Sequence, residues 1–339
     1  MKAMIFSAGY GTRMKPLSDI YPKPCLPFYG RPLIAHQLEW LRRHGVTTTI
    51  LNLHHMGDAV RMTAEEHCPD GMTLTFLEES TIRGTGGGLA NAATLLYDAE
   101  EFLAINGDIF TNIDLQLPIR SHRQNQAMAT LVLTTNPQHA DLFGVGINAD
   151  NHVTDFWGDP PTDQFIRRGA FTGIHILNPE FLNLLPSSGF ACVKEQGYLP
   201  ALQKNIALHA FVTGGDWFDL GTSTRYLDAH FDMLSQSAEL TGYRVRRPGV
   251  VSADPLPKSL QITPPVVVGP NLNIVDPSAS IGPGTIVGAN VTLGPKTHVE
   301  QSVIWDGVCL EGTLRQTIVA SDGQAIHVDA DLPEDEISE

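Results

Sequence analysis

The sequence predicts a two-part chain: a mostly parallel α/β sheet with helices on both faces, then a short parallel β-helix. Three observations predict it. Short apolar runs alternate with helical patterns through the first half of the chain. A stretch dense in proline follows. Beyond that stretch apolar residues recur at every sixth position.

Taken in order, residues 2–7 read as a strand, and a Gly/Pro-rich loop runs to about Gly30. Pro32 suits the first turn of a helix, Leu33, Ile34, Leu38 and Leu41 form its stripe, and Gly45 ends it. Residues 47–53 form a β-branched run and 73–78 a third strand, with a helix over 57–67 between them. A helix over 88–97 and a strand over 102–106 complete the alternation. In such sheets ligands bind beyond the carboxyl ends of the strands, so the loops after Ser7, Glu78 and Asn106 are expected to converge. Further strands are expected at 127–134, 144–148, 169–177 and 208–213, and a helix over 223–240. Five prolines within 241–265 mark a linker. Then Val268, Ile274, Ile281, Val287, Leu293, Val299 and Trp305 keep a six-residue period with one slip, and glycine follows four of them. Such units must stack to bury their apolar edges, and the run is enough for roughly two to three coils. The expected organisation is a catalytic domain over 1–240, a linker over 241–265, a repeat domain over 266–328 and an acidic tail over 329–339.

The 339 residues are 42% hydrophobic and 17% charged, enough apolar matter for a real core. With 22 Lys and Arg against 37 Asp and Glu the net charge is −15. An acidic surface repels phosphate backbones and anionic lipid, so nucleic acid and membrane are disfavoured as partners. Yet Lys2, Arg13, Lys15 and Lys23 gather in the first 23 residues against Asp19 alone. The four cysteines (Cys25, Cys68, Cys192, Cys309) are far apart, which excludes metal-type spacing and a compact disulfide framework and points to a reducing cytoplasm. No apolar run approaches membrane-spanning length, and the first residues are too short and too soon broken by glycine for a signal peptide.

The first loop reads Ser7-Ala8-Gly9-Tyr10-Gly11-Thr12-Arg13-Met14-Lys15-Pro16-Leu17. Two glycines after a strand let backbone N–H groups approach phosphate oxygens. Met14 stands where a dinucleotide fingerprint needs a third glycine, and no Gly-Lys-Ser/Thr follows, so neither that fingerprint nor a P-loop is present. Arg13 and Lys23 are suited to neutralising a triphosphate, Arg by bidentate contact and Lys as a point charge.

Ala8-Gly9-x-Gly11-Thr12-Arg13-Met14-x-Pro16-Leu17, with Pro22-Lys23-Pro24, resembles the signature loop of the sugar-1-phosphate nucleotidyltransferases. Gly84-Thr85-Gly86-Gly87-Gly88 resembles the base-binding loop of that family, Asn106-Gly107-Asp108 its strand-end metal ligand, and Trp217-Phe218-Asp219-Leu220-Gly221-Thr222 its second metal ligand. The resemblance spans roughly residues 1–230, in family order. It implies a Rossmann-like nucleotidyltransferase sheet, with the tail a left-handed β-helix of hexapeptide repeats, as in several branches including mannose-1-phosphate guanylyltransferases. It implies binding of an NTP by Ala8, Gly9, Gly11, Thr12, Arg13, Lys23, Gly84, Thr85 and Gly86. It implies a sugar 1-phosphate near Gly144, Gly173 and Asn106, and Mg²⁺ on Asp108 and Asp219, with Arg13, Lys23 and Asp108 catalytic.

Independently, a carboxylate such as Asp108 at the end of an apolar strand is costly unless paired or metal-bound, and Mg²⁺ prefers one or two carboxylates plus substrate phosphates. The nucleophile of the implied reaction is a phosphate monoester, already anionic near neutrality. Hence no general base is required, and no Ser-His-Asp or Cys-His set is evident. Glu78 or Glu79 would suit guanine N1–H and N2–H₂, while the Gly-Gly-Gly run is closer to uridylyltransferases acting on N-acetylmuramate 1-phosphate. The sugar side departs from the family: after Phe156-Trp157 the usual Glu-Lys-Pro is Gly158-Asp159-Pro160, and Phe171 replaces an Asn. Lys194 and Arg168 are candidate replacement cations or plain surface residues. His54-His55 read as strand-end polar groups. The lost Glu-Lys-Pro keeps a non-catalytic, nucleotide-sugar-binding homologue as an alternative. Two roles stand for the β-helix: assembling a homo-oligomer, or covering the first domain.

Overall fold

The structure is a computed structural model and describes residues 1–235, 239–240, 243–244 and 249–328. The expected acidic tail over 329–339 lies outside the described residues. The chain divides into two compact units: Met1–Gly11, Tyr21–Cys25 and Leu33–Asp219 form one, and Thr12–Ile20, Leu26–Pro32 and the described residues from Leu220 onward form the other.

In the first unit β1 (Lys2–Phe6), β2 (Thr48–Leu53), β3 (Thr73–Glu78) and β4 (Phe102–Asn106) lie parallel in the order β3-β2-β1-β4. β1 and β4 read as almost unbroken apolar runs, as parallel strands covered on both faces should. Ala3 and Ile5 of β1 point into one core layer with Ile34, Leu38 and Leu41 of helix α1 (Leu33–Arg43), while Met4 points into the other with Leu89 and Leu96. Gly45, at φ +86, closes α1 in the left-handed conformation that favours glycine. Helix α2 (Gly57–Glu66) connects β2 to β3.

The sheet continues with antiparallel members that the alternating pattern does not announce. After the short β5 (Ile109–Thr111) come helix α3 (Gln116–Gln124), β6 (Ala129–Thr134), β7 (Phe143–Ile147), β8 (Val153–Phe156), and the long β9 (Arg167–Leu177), which runs antiparallel to β4, β6 and β7. β10 (Leu208–Thr213) joins β6 in parallel. β11 (Trp217–Asp219) pairs with β5 antiparallel. The expected helix over 88–97 is displaced: the helical turn begins at Gly84 and runs to Asn91, with a second short helix at Ala93–Leu96. The glycines there open a helix and are not part of the preceding loop.

In the second unit parallel strands stack into three sheets. Ser280 pairs with His298, eighteen residues on, so three strands of about six residues make one coil. Val268, Ile281, Val287, Leu293, Val299 and Trp305 are buried, and Ile274 packs half-buried at the edge. Residues 250–252 pair in parallel with 266–268, and 261–262 with 280–281, so the stack starts at Val250, within the stretch expected to be linker. Proline there shapes the corners between short strands, where no ladder N–H is needed. Helix Ser223–Ser235 belongs to this unit: Trp305 Nε1 donates to Tyr226 Oη (3.1 Å), and Tyr226 donates to the Pro27 carbonyl.

Candidate active site

The parallel register brings three strand-end loops to one edge of the sheet. Ser7, Ala8, Gly9 and Gly11 follow β1, Glu79, Ile82, Gly84 and Thr85 follow β3, and Asn106, Gly107 and Asp108 follow β4; with Phe6, Lys23, Pro24 and Asn52 they line a cleft of about 260 Å³. Gly9 leaves open space where a Cβ would be, and Gly11 takes φ +66, so backbone is exposed along this wall.

Asp108 stands on the tight turn between β4 and β5. A Cβ at Gly107 would lie 2.5 Å from the Phe6 carbonyl, which the Gly107 N–H binds at 3.1 Å, so only glycine lets the turn close on β1. Lys23 Nζ is 3.2 Å from Asp108 Oδ2, both side chains largely shielded. The β5–β11 register sets Asp219 opposite Ile109, one residue from Asp108. Directly paired Cα atoms are about 5 Å apart, so two aspartates 111 positions apart in sequence share one end of the strand pair. Gln37 was not evident in the sequence: from α1 its Nε2 donates to the carbonyls of Asn106 and Ile109, each at 2.9 Å, and clamps the turn that carries Asp108. A Gln inside an amphipathic helix gives no signal of this role.

Glu78 and Glu79, equivalent in sequence, part company. Glu78 is exposed and paired with Arg61, outside the cleft. Glu79 is 4% exposed; Asn52 Nδ2 donates to its Oε1 (2.8 Å) and the Arg83 N–H to its Oε2 (3.1 Å). Asn52 is itself held by the Ser7 N–H (2.9 Å) and by Ser7 Oγ, which donates to the Asn52 carbonyl (2.6 Å). The cleft therefore contains an oriented carboxylate fixed to the first glycine loop.

Of the second glycine run, at the start of the helix, Gly84 and Thr85 line the cleft and Gly86 does not. Its N–H and that of Gly87 both donate to the Ala191 carbonyl (2.8 and 3.1 Å), so they are not available to a ligand. The Gly-Gly-Gly run has packing reasons: a Cβ at Gly87 would lie 2.7 Å from the Gly189 carbonyl, and one at Gly88 would lie 3.2 Å from Asn52 Nδ2.

Two expected sugar-side glycines also lie off the cleft lining. Gly173, at φ +75, is buried beneath Asn106, where its Cβ would come within 2.8 Å of Asn106 Cγ; it seats Asn106, which does line the cleft. Gly144 is covered by Trp157, whose ring atoms would be 2.0 to 2.5 Å from a Cβ there. Arg168 is committed to the fully buried Asp155 (2.7 Å), and Lys194 stands over the Trp157 ring (5.4 Å) beside Glu195. Among the clustered bases, Lys2 is tied to the Leu95 carbonyl and Asp98 at the other end of β1, and Lys15 pairs with Asp19. Lys23 is the one among them that lines the cleft. Thr12 and Arg13, next in sequence after Gly11, form an exposed single-turn helix assigned to the second unit. His54 bonds the Glu79 carbonyl (2.7 Å) and Tyr10 (3.2 Å), a structural strand-end role. Beneath the cleft floor, burial pushes the His175 imidazole down to about 3, between Phe6, Phe171 and Tyr198.

No helix among the described residues is long and apolar enough to cross a membrane. Residues 2–236 match the nucleotidyl transferase family. A UTP–glucose-1-phosphate uridylyltransferase of Synechocystis is 27% identical over 90% of this chain and 83% of its own. A mannose-1-phosphate guanyltransferase of Aspergillus oryzae is 31% identical over 83% and 73%. Among solved structures, HddC from Yersinia pseudotuberculosis complexed with GMP-PN is 25% identical, with a TM-score of 0.57 over 67% of this chain and 97% of that one. The match spans the whole cleft-bearing sheet, and with it the chain belongs to the nucleotidyl transferase family, as a sugar-1-phosphate nucleotidyltransferase.

Proposed function

We propose that this enzyme transfers a guanylyl group from GTP to mannose 1-phosphate or a related hexose 1-phosphate, releasing pyrophosphate, with Mg²⁺ held by Asp108 and Asp219. The observation that carries the guanine reading is Glu79, a buried carboxylate held toward the cleft by Asn52 and the Arg83 N–H. Guanine offers two adjacent donors, N1–H and N2–H₂, to such an acceptor; uracil offers a single donor flanked by acceptors. The glycine run that resembles uridylyltransferases is explained by packing and does not weigh on the base.

The sugar phosphate attacks the α-phosphorus as a preformed anion, so the chain has to align two anions and offset their charge. Lys23 offsets that charge at the cleft, and the backbone of Ala8, Gly9 and Gly11 receives the nucleotide. Thr12 and Arg13 keep their role in phosphate binding on the strength of the sequence. Asp108 and Asp219 fit Mg²⁺: both are hard oxygen donors on neighbouring strand ends, and the ion takes one or two carboxylates and completes its shell from substrate phosphates and water. When bound it supplies charge neutralisation at the phosphates. Gln37 keeps Asp108 in place.

A matrix of NTPs against sugar 1-phosphates, read by pyrophosphate release and product mass, tests the reading. GTP with mannose 1-phosphate should give turnover that EDTA abolishes. Glu79→Gln should cost GTP at least about tenfold in kcat/KM. Turnover confined to UTP, the base named for the Synechocystis relative, would overturn the guanine assignment.

A further inference from the structure

Two features of the sequence have no part in the reaction proposed above: the adjacent histidines His54-His55, and Tyr10, which stands between the two glycines of the first loop. The structure brings them together. His54 follows β2 directly, two residues after Asn52, so the two side chains share a face of the chain. Both reach Glu79. Asn52 Nδ2 donates to its carboxylate (2.8 Å), and His54 Nδ1 lies 2.7 Å from its carbonyl oxygen. A carbonyl only accepts, so Nδ1 carries a proton; in the neutral ring Nε2 is then left to accept from the Tyr10 hydroxyl at 3.2 Å. The Tyr10 ring packs edge-on against His54, with centroids 5.5 Å apart, and tilted against His55 at 5.6 Å. Tyr10 is 51% exposed, so this bond and these ring contacts, rather than burial, hold it.

Both neighbours of Tyr10 are glycines that line the cleft. A Gly-x-Gly segment has wide conformational freedom and loses much entropy on being fixed. One anchored side chain between the glycines restricts that freedom before a ligand arrives. Glu79 is thus tied to the first loop twice, through Asn52 to the Ser7 N–H and through His54 to Tyr10.

We infer that Tyr10 and His54 are positioning residues for the nucleotide, holding the first glycine loop at a fixed separation from Glu79. The inference rests on the reading that the NTP lies between these two elements, its base at Glu79 and its phosphates at the loop. Neither ring lines the cleft, so the pair acts through Glu79, Gly9 and Gly11. A nucleoside triphosphate spans both elements and gains from their being set in advance; a sugar 1-phosphate on the Asn106 side does not.

The test uses the full chain. Tyr10→Phe removes the hydroxyl and keeps the ring. His54→Asn keeps a donor for the Glu79 carbonyl and is too short to reach Tyr10. Each should raise the KM for the NTP about fivefold, the worth of one such hydrogen bond, and leave kcat and the KM for the sugar 1-phosphate within about twofold. Both changes remove the same bond, so the double variant should be no worse than either single one. Hydrogen exchange at the amides of residues 8–11, followed by mass spectrometry without nucleotide, should quicken severalfold in each variant. An unchanged NTP KM, equal rises in both KM values, or effects that multiply in the double variant would overturn the inference. If UTP is turned over instead of GTP, the guanine reading falls, and the same shifts in the KM for UTP still support the tie. If no NTP is turned over, the exchange rates decide: quicker exchange supports the tie and unchanged exchange overturns it.

Discussion

Replacing Gln37 by Leu isolates how the fold holds Asp108, the proposed Mg²⁺ ligand. Gln37 is 4% exposed and its Nε2 satisfies two main-chain carbonyls, those of Asn106 and Ile109, at 2.9 Å each. Leu keeps the volume and removes both bonds. Each buried carbonyl left without its bond costs about 1–3 kcal/mol, and relief of the Gln37 Oε1, which has no hydrogen-bond partner among the described residues, returns about 1 kcal/mol. The net loss is about 1–5 kcal/mol, or roughly 3–15 °C in melting temperature for a domain of this size. Turnover should fall further than stability alone explains, because the released turn carries Asp108, and a shift of about 1 Å at a reacting centre costs about a hundredfold. Gln37→Glu sharpens the test: its carboxylate would face two carbonyls, and protonation at low pH would restore one donor. Urea unfolding followed by circular dichroism gives the stability, and pyrophosphate release at saturating substrates gives the turnover. A Gln37→Leu protein within about 0.5 kcal/mol of the parent, with unchanged turnover, would refute the clamp.

Asp108→Asn should lower turnover by about two orders of magnitude or more, with the melting temperature nearly kept; full activity would remove the metal assignment. Gly173→Ala should destabilise the protein by about 1–3 kcal/mol and raise substrate KM, because its Cβ would displace Asn106 at a position with φ +75; an unchanged urea midpoint contradicts this. Stability should fall as pH drops below about 6.5. His175 stays neutral in the fold down to about 3, pushed there by burial, while the unfolded chain takes up the proton near its ordinary value of 6.5, so acid favours unfolding and nothing is gained above that value. His122 and His209, lowered chiefly by burial, act in the same sense. Between pH 7.5 and pH 5 His175 alone should remove about 2 kcal/mol, read from urea midpoints. A flat profile would show that the imidazole is hydrated.

Local regularities were legible because they are written in adjacent residues. The apolar runs of β1 and β4, the stripe of α1 and the six-residue period each arise from which side of an element must leave water, and that is a property of spacing. For the same reason the glycines after β1, Lys23 and Asp108 are legible in the sequence: a strand end followed by glycine, a base or a carboxylate needs a ligand or a partner. The antiparallel half of the sheet was less legible, because β9 pairs with three strands at once and pairing partners are chosen across the chain.

What only the tertiary structure decided is which of several similar residues share a space. It separates Glu79 from Glu78, gives Gly86 to the Ala191 carbonyl, spends Lys2 on Asp98, and places Gly173 beneath Asn106. It sets Asp219 one residue from Asp108 by the register of two short strands. The sequence by itself determined the elements, the repeat and the family. The site was decided by long-range pairing, because hydrogen-bond partners and close contacts depend on distances that neighbours in the chain do not encode.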